Sequence, residues 1–289
     1  MTNITLGHRP WTHTATFHAL GDEVAGYGVA QLQNDILSKP WRSATLDPED
    51  TRFRVTLPQL RLVNSLWLVW HNLTRDGQVR LRLYRNDSGE QQLVYDSGFQ
   101  SWLSEVYDEE LVDWDGGNWH DRTYTDEELD STPLYDPFYI AGSLYTDEII
   151  IDIYDPLNPA GYVEVGFMPI EEAIEIPVNP TYGATSGFNV RTTMEEAEGG
   201  YEDFDPLDKP RYFDGEIEYM ETIAAKGIFY EMQRQLDIHR CMTFWLDRDD
   251  TQNRLRDAWL ARQDKSMAPI QYKTFDSAGI RIKLKEVIG

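Results

Sequence analysis

The segment Asp113–Asp121, DWDGGNWHD, brings together the side chains most suited to binding a ligand. Its polar side chains flank a flexible Gly116–Gly117 turn, and hard oxygen ligands on a flexible loop are what Ca²⁺ prefers. The segment departs from an EF-hand loop, because the twelfth position from Asp113 is Tyr124 and not a bidentate glutamate. We predict either a calcium site or a hydrogen-bonded acidic turn, with Asp113, Asp115, Asn118 and Asp121 as the candidate ligands.

Two tryptophans in the same segment, Trp114 and Trp119, are candidate contacts to a glycan. An indole ring combines a large apolar face with one polar N–H group, which suits stacking on a sugar ring. The same ring can instead anchor the loop by packing against the protein. The sequence leaves both interpretations open.

The sequence carries no recognisable catalytic motif. It lacks a glycine-rich phosphate loop, a Gly-x-Ser-x-Gly elbow and a His-Glu-x-x-His helix, and its six histidines are dispersed. A glycosidase is the alternative, since acids and tryptophans near 102–121 would suit a sugar cleft. Fifty acidic residues, however, make carboxylate pairs frequent by chance. We therefore expect a protein that is not an enzyme and has no cofactor other than the Ca²⁺ considered above.

Charge is unevenly distributed along the 289 residues. The net charge is −24, and residues 105–221 alone carry 31 acidic and four basic side chains. Such a surface repels phosphate, so we expect no nucleic-acid partner. The acidic region is either a solvated face or a surface that meets cations or a basic partner.

Cys241 is the only cysteine, which excludes an intrachain disulfide and a cysteine-rich zinc site. The sequence shows no apolar run long enough to span a membrane and no secretory signal. We expect no membrane insertion.

Short apolar or alternating segments separated by turns predict a mainly β protein with an antiparallel sandwich. Residues 65–70 form a continuous apolar run, as in a strand buried on both faces, and residues 79–84 alternate strictly. The predicted core residues of these two strands are Leu66, Leu68, Trp70, Leu81 and Leu83.

Four regions follow from the changes in composition. The predicted regions are N-terminal strands at 1–35, a β-sandwich at 36–170 with a long acidic insertion at 100–146, an extended connecting arm at 171–210, and a C-terminal α+β unit at 211–289. The strands of 1–35 lack partners in the sandwich, so we expect them to pair with the C-terminal unit and complete a split domain.

Two helices are predicted in the C-terminal unit. Apolar spacing places the first between Thr222 and His239, and Thr251 would cap a second helix carrying Leu255, Trp259 and Leu260. We expect the second helix to pack on the sheet that contains Phe244.

Several short motifs resemble a galactose-binding-like jelly roll of tail and baseplate proteins of tailed bacteriophages. The resemblance covers residues 36–170 and, more loosely, 210–289, and its motifs are PWRS at 40–43, the strand at 53–57, LWLVWHNL at 66–73, the strand at 79–84, YDSG at 95–98 and IDIYDPLNPAGYVEVG at 151–166.

This resemblance implies a jelly-roll sandwich inserted in a smaller split α+β domain. It also implies a structural component of a phage tail tip or baseplate that forms a symmetric homo-oligomer with other phage tail proteins. We then expect it in the virion tail, made in the host cytoplasm. The alternative is a carbohydrate-binding module that attaches to host surface glycans.

Overall fold

The computed structural model describes residues 3–87, 89–107, 118–130, 132–142, 144–196, 199–264 and 269–289. The chain is mainly β, with 46% strand and 12% helix in antiparallel sheets, which confirms the predicted fold class. Among the described residues, no helix has the length and hydropathy needed to cross a membrane.

The strands are β1 (Thr5–Pro10), β2 (Thr16–Ala19), β3 (Trp41–Arg42), β4 (Arg52–Leu62), β5 (Ser65–His71), β6 (Gln78–Asp87), β7 (Glu90–Asp96), β8 (Gln100–Ser101), β9 (Tyr135–Tyr139), β10 (Tyr145–Tyr154), β11 (Glu164–Phe167), β12 (Ile170–Glu175), β13 (Thr185–Phe188), β14 (Thr193–Glu196), β15 (Glu202–Asp205), β16 (Arg211–Glu221), β17 (Met242–Trp245), β18 (Ala258–Gln263), β19 (Ile270–Tyr272) and β20 (Ser277–Glu286).

The helices are α1 (Asp126–Asp130), α2 (Thr222–Ala225), α3 (Glu231–Leu236) and α4 (Arg254–Asp257), with a π-helical turn at Lys226–Tyr230 and 3₁₀ turns at Thr12–Thr14 and Val29–Gln33.

The chain divides into two compact units. The first contains Met1–Glu175, Met242–Trp259 and Gly289, and the second contains Ile176–Cys241 and Leu260–Ile288. The segment that carries β17 and α4 therefore belongs to the first unit although it lies far along the chain from the rest of it.

The first unit is a sandwich of two antiparallel sheets. One sheet has the strand order β2-β4-β10-β6-β7, with β8 on β6. In the other sheet the order is β17-β1-β12-β5-β11-β3, with β9 on β5. Alternate residues of β4, β6 and β10 meet Leu66 and Leu68 of β5 in one apolar core, because period-two alternation turns every second side chain inward.

Strand β5 is buried on both faces, as the apolar run predicts. Leu66 and Leu68 belong to the core between the sheets, whereas the Trp67 ring packs against Trp245, with 4.5 Å between ring centroids. Trp70 departs from the prediction: it is only half-buried, lies outside that core and has a φ of 56°. The left-handed backbone at Trp70 turns its side chain out of the alternation, while the pairing of Val69 and His71 with β11 keeps one register across it.

The N-terminal strands meet the expectation only in part. β2 pairs with β4 inside the sandwich, and β1 pairs with β12 and with β17. Of the C-terminal residues, only those of β17, which belong to the first unit, pair with the N-terminal strands in the described structure. β1 therefore does pair with a strand of the predicted C-terminal unit, whereas β2 pairs within the sandwich, contrary to the expectation.

The predicted insertion at 100–146 also contains regular structure. β9 pairs with β5 over five residues, and α1 precedes it. The sequence did not predict this strand, because Asp136 and Pro137 are residue types that are rare in strands. In the described residues β9 pairs with β5 alone, and such an edge position tolerates proline because the missing N–H faces no partner strand.

The second unit contains the sheet β13-β16-β20-β18, with β19 on β20, and a separate two-stranded ribbon of β14 and β15. The predicted arm at 171–210 therefore does contain strands, since it includes β13, β14, β15 and all of β12 but its first residue. The first predicted C-terminal helix is present as α2, the π-helical turn and α3.

The second predicted C-terminal helix is wrong beyond one turn. Helix α4 ends at Asp257, and Trp259 and Leu260 lie in strand β18. Five of the six β18 residues are buried, and a run buried on both faces lacks the periodicity that separates a strand from a helix. Trp259 nevertheless contacts Phe244 as expected, with 4.8 Å between ring centroids.

Candidate functional site

Three groups of loop residues meet at one end of the sandwich, which we call the loop end: 72–77, the described residues of 102–125, and 155–163. Strand β5 stops at His71, and β10 stops at Tyr154, which is opposite Gln78 at the start of β6. β8 pairs with the same end of β6 and leads into 102–125. Antiparallel pairing therefore brings these loops together, including the one that carries the candidate site residues.

Trp102 anchors the start of the 102–125 loop. Its buried indole Nε1 donates to the carbonyl oxygen of Thr74 at 2.7 Å, and its ring meets the His71 ring edge-on at 4.6 Å. Its own carbonyl oxygen accepts a hydrogen bond from Nη2 of Arg254 at 2.6 Å. A residue of α4 thus fixes a loop that lies some 150 positions earlier in the sequence.

Hydrogen bonds also hold the turn that bears Trp119. The Asn118 side-chain amide donates to the carbonyl oxygen of Thr123 at 2.8 Å, and the Arg122 N–H donates to the carbonyl oxygen of Asn118 at 2.8 Å. The Arg122 guanidinium pairs with Glu105 at 2.5 Å. The Trp119 ring is 41% exposed on this turn and contacts the ring of His120.

Arg75 connects two of the loops. Its guanidinium forms an ion pair with Asp121 and donates to the hydroxyl of Thr123 at 3.0 Å. Half of the Asp121 side chain stays accessible to solvent. The pair therefore closes the turn and leaves an accessible carboxylate two residues from Trp119.

A second set of contacts fixes the end of the loop. Thr125 and Glu128 form a capping box at the start of α1: the Thr125 N–H and hydroxyl donate to Glu128 at 2.8 and 2.9 Å. The Tyr107 hydroxyl also donates to Glu128, and the pKa of Tyr107 rises to about 12 because the phenol is partly buried and bonded to this carboxylate. Nε of Arg256 donates to the Tyr124 hydroxyl at 3.2 Å.

Two buried ionisable groups flank this framework. Burial lowers the pKa of His71 to about 3, so the imidazole is neutral, and its Nδ1 accepts the Leu73 N–H at 3.3 Å, which assigns the ring proton to Nε2. Burial raises the pKa of Asp136 to about 7, although the positive charge of Arg254 opposes this change. Within the described residues, neither Nε2 of His71 nor Oδ2 of Asp136 has a hydrogen-bond partner.

The predicted calcium ligands are only partly brought together. Asp113, Asp115 and Trp114 lie outside the described residues. The Asn118 side chain is engaged with Thr123, and the Asp121 carboxylate faces the cationic Arg75. In the part of the chain that the structure describes, no three His, Cys, Asp or Glu side chains converge as metal ligands. The calcium site stays a prediction.

The sequence interpretation missed the residues that hold the loop end: Arg75, Tyr107, Arg254 and Arg256. Only Arg75 had a local signal, the Asp76-Gly77 turn beside it. The two arginines of α4 are unrecognisable without the fold, because their partners lie more than 100 residues away.

No family model matches the chain, and no curated protein is significantly similar to it. Solved structures give weak likenesses. A family 32 carbohydrate-binding module of NanJ from Clostridium perfringens, solved with galactose, is 12% identical, covers 58% of this chain and 99% of its own, and has a TM-score of 0.35. Chitosan-binding module 1 from a chitosanase/glucanase of Paenibacillus sp. IK-5 is 15% identical, covers 57% and 99%, and has a TM-score of 0.37.

A family 89 glycoside hydrolase from Clostridium perfringens also matches, but only over 14% of its own chain, at 13% identity and a TM-score of 0.33.

Proposed function

We propose that the loop end of the sandwich binds a carbohydrate, with Trp119 as the stacking surface. One observation carries this proposal: Trp119 is 41% exposed on a turn that hydrogen bonds and ion pairs hold at both ends. A large apolar ring left in water on a rigid loop is the arrangement that suits a stacking ligand.

A carbohydrate site also needs hydrogen-bonding groups for the sugar hydroxyls. A sugar hydroxyl both donates and accepts hydrogen bonds, and the Arg75–Asp121 pair leaves an accessible carboxylate two residues from Trp119. Groups already held in place lose little freedom on binding, so more of the contact energy appears as affinity.

Two arginines of α4 position this site without contacting the ligand themselves. Arg254 fixes the start of the loop through Trp102, and Arg256 fixes its end through Tyr124. The ring of Tyr107 supports the latter contact, lying 5.8 Å from the ring of Tyr124.

A glycan array with the wild-type chain and Trp119→Ala tests the proposal, and it includes galactose and chitosan oligosaccharides. We expect the substitution to weaken binding at least about tenfold, equal to about 1.4 kcal/mol. Tyr145→Ala is the matched control, because Tyr145 is a similarly exposed aromatic at the start of β10, opposite to the loop end. No glycan bound by the wild type, or equal losses in both variants, contradicts the proposal.

The role in a phage tail tip or baseplate, the homo-oligomer and the virion location stay predictions of the sequence resemblance. Glycan binding at the loop end is compatible with attachment to a host surface and requires no catalytic group.

A further inference from the structure

The β14–β15 ribbon of the second unit has no hydrophobic core of its own. All eight residues of the two strands are exposed. A two-stranded ribbon is marginally stable in water unless a further strand, helix or partner covers one of its faces. One face of this ribbon is therefore available to bind another molecule.

The strand register defines the two faces. Met194 lies opposite Phe204, and Glu196 lies opposite Glu202. Directly opposite residues share a face, and every second residue returns to it, so these four side chains lie together. We call this set the ribbon face. The other face carries Thr193, Glu195, Asp203 and Asp205.

The ribbon face combines an apolar pair with a pair of like charges. Met194 and Phe204 are 55% and 54% exposed. Like charges directly opposite each other across two strands are destabilising, and within the described residues no basic side chain pairs with Glu196 or Glu202. Both features become favourable when a partner brings positive charge to the glutamates and apolar contact to Met194 and Phe204.

We propose that the ribbon face docks a basic protein segment in extended conformation, in which lysine or arginine and aliphatic residues alternate at every second position, so that one face of the segment carries both. Charge complementarity selects this occupant, because residues 105–221, which include the ribbon, carry a net charge of −27. A bare metal ion would neutralise the glutamates but would leave Met194 and Phe204 in water. An extended segment with charged and apolar residues two positions apart places them on one face at the spacing of Met194 and Glu196.

The test uses the full chain and a synthetic peptide that repeats Lys-Ser-Val-Ser, at physiological salt, because this spacing puts lysine and valine alternately along one face of the extended peptide. We expect the peptide to slow amide hydrogen exchange across Thr193–Glu196 and Glu202–Asp205 and to bind more weakly as salt rises. Met194→Ser with Phe204→Ser, and separately Glu196→Gln with Glu202→Gln, should each weaken binding about tenfold or more.

The matched control is Glu195→Gln with Asp203→Asn, which removes the same charge from the same ribbon on its other face. Because screening lengths at physiological salt are about 8 Å, this variant should lose much less affinity. Equal losses on both faces would mean general attraction to an acidic protein and would overturn the proposal. Exchange unaffected by the peptide, or slowed by raising the protein concentration alone, would also overturn it, the latter by making a second copy the occupant. All eight positions are exposed, so unchanged thermal unfolding should show that the variants are folded.

Discussion

The carboxylates of the sandwich and those of the ribbon lie in opposite environments. Asp152 of β10 accepts hydrogen bonds from Arg52 at 2.5 Å and from Arg82 at 2.7 Å, on the two strands that flank it. Asp96 is paired with Arg80, and this hydrogen bond lowers the pKa of Asp96 to about 2. On the ribbon, Glu195 lies opposite Asp203 and Glu196 lies opposite Glu202, so two pairs of carboxylates face each other across the strands.

This difference shows which region the chain stabilises by itself. In the sandwich, the same alternation that buries Leu81 and Leu83 places Arg80 and Arg82 on the other face of β6, opposite aspartates of neighbouring strands. In the ribbon, alternation separates two faces that are both in water. The sandwich is therefore complete within the chain, whereas the ribbon requires charge and apolar surface from elsewhere.

Truncation of one apolar side chain in each region gives the largest expected contrast. Leu68→Ala leaves a cavity in the sandwich core and should lower the free energy of unfolding by about 2–5 kcal/mol. Met194→Ala, on the exposed ribbon, should change it by less than about 0.5 kcal/mol. Denaturant titration measures both, and equal effects would remove the distinction between the two regions.

The sandwich also buries the carboxyl group of Glu171, whereas all the ribbon carboxylates are exposed. Glu171 of β12 reaches across β1 to Thr243 of β17, whose hydroxyl and N–H donate to it at 2.5 and 3.2 Å. Gly7 of β1 leaves the path open, because a Cβ there would lie 1.9 Å from Oε2 of Glu171. Burial raises the pKa of Glu171 to about 7, although the Thr243 hydrogen bonds oppose this.

We expect stability to fall as the pH rises from about 4.5 to 7. Glu171 and Asp136, with folded pKa values of about 7, hold protons that the unfolded chain releases near its ordinary values, so folding is favoured at the acidic end. His71 acts in the opposite direction below about pH 6.5, because the folded state keeps it neutral. The net slope is about 1.4 kcal/mol per pH unit up to about pH 6.5, and it does not steepen towards pH 7 because the folded carboxyls then begin to release their own protons.

Single variants separate these contributions in pH-dependent denaturant titrations. Glu171→Gln should remove about 1.4 kcal/mol per pH unit of the decline between pH 4.5 and 7. Glu195→Gln on the ribbon is the control and should leave the profile unchanged. A Glu171→Gln profile parallel to that of the wild type would show that Glu171 is not protonated near neutrality.

Removal of a paired carboxylate should have a smaller effect on the free energy of unfolding. Asp152→Asn leaves Arg52 and Arg82 without their anion, and its side chain is only 9% exposed. Because Arg52 is 41% exposed, solvent recovers part of the loss, and we expect about 1–3 kcal/mol. The ribbon counterpart, Glu196→Gln, should be neutral or slightly stabilising in the same unfolding titration. If Asp152→Asn does not change the free energy of unfolding, the paired carboxylates of the sandwich contribute no more to stability than those of the ribbon.

Much of the sandwich could be predicted because its strands alternate locally, as residues 79–84 do. β9 could not be, since Asp136 and Pro137 interrupt the pattern and only pairing with β5 makes the strand. Trp259 and Leu260 lie in a run that is buried on both faces, so its sequence lacks the hydrophobic periodicity that distinguishes a strand from a helix. At the candidate site, the sequence found Trp119, Asn118 and Asp121, which are neighbours in the chain. The residues that hold them depend on long-range contacts that no local pattern contains.

The smallest expected effect comes from reversing one charge on the ribbon. Glu202→Lys turns the like-charge pair with Glu196 into an ion pair directly across the two strands. Such a cross-strand pair contributes about 0.2–1 kcal/mol, so amide exchange at Thr193–Glu196 should slow up to about fivefold. Global unfolding should not change, because the ribbon contributes no core residue. Glu195→Lys makes the same change opposite Asp203 on the other face and should slow amide exchange similarly. The two variants should differ in binding of the lysine–valine peptide. Glu195→Lys should leave this binding largely intact, whereas Glu202→Lys should abolish it. If neither variant slows exchange, repulsion between the carboxylates does not limit the stability of the ribbon.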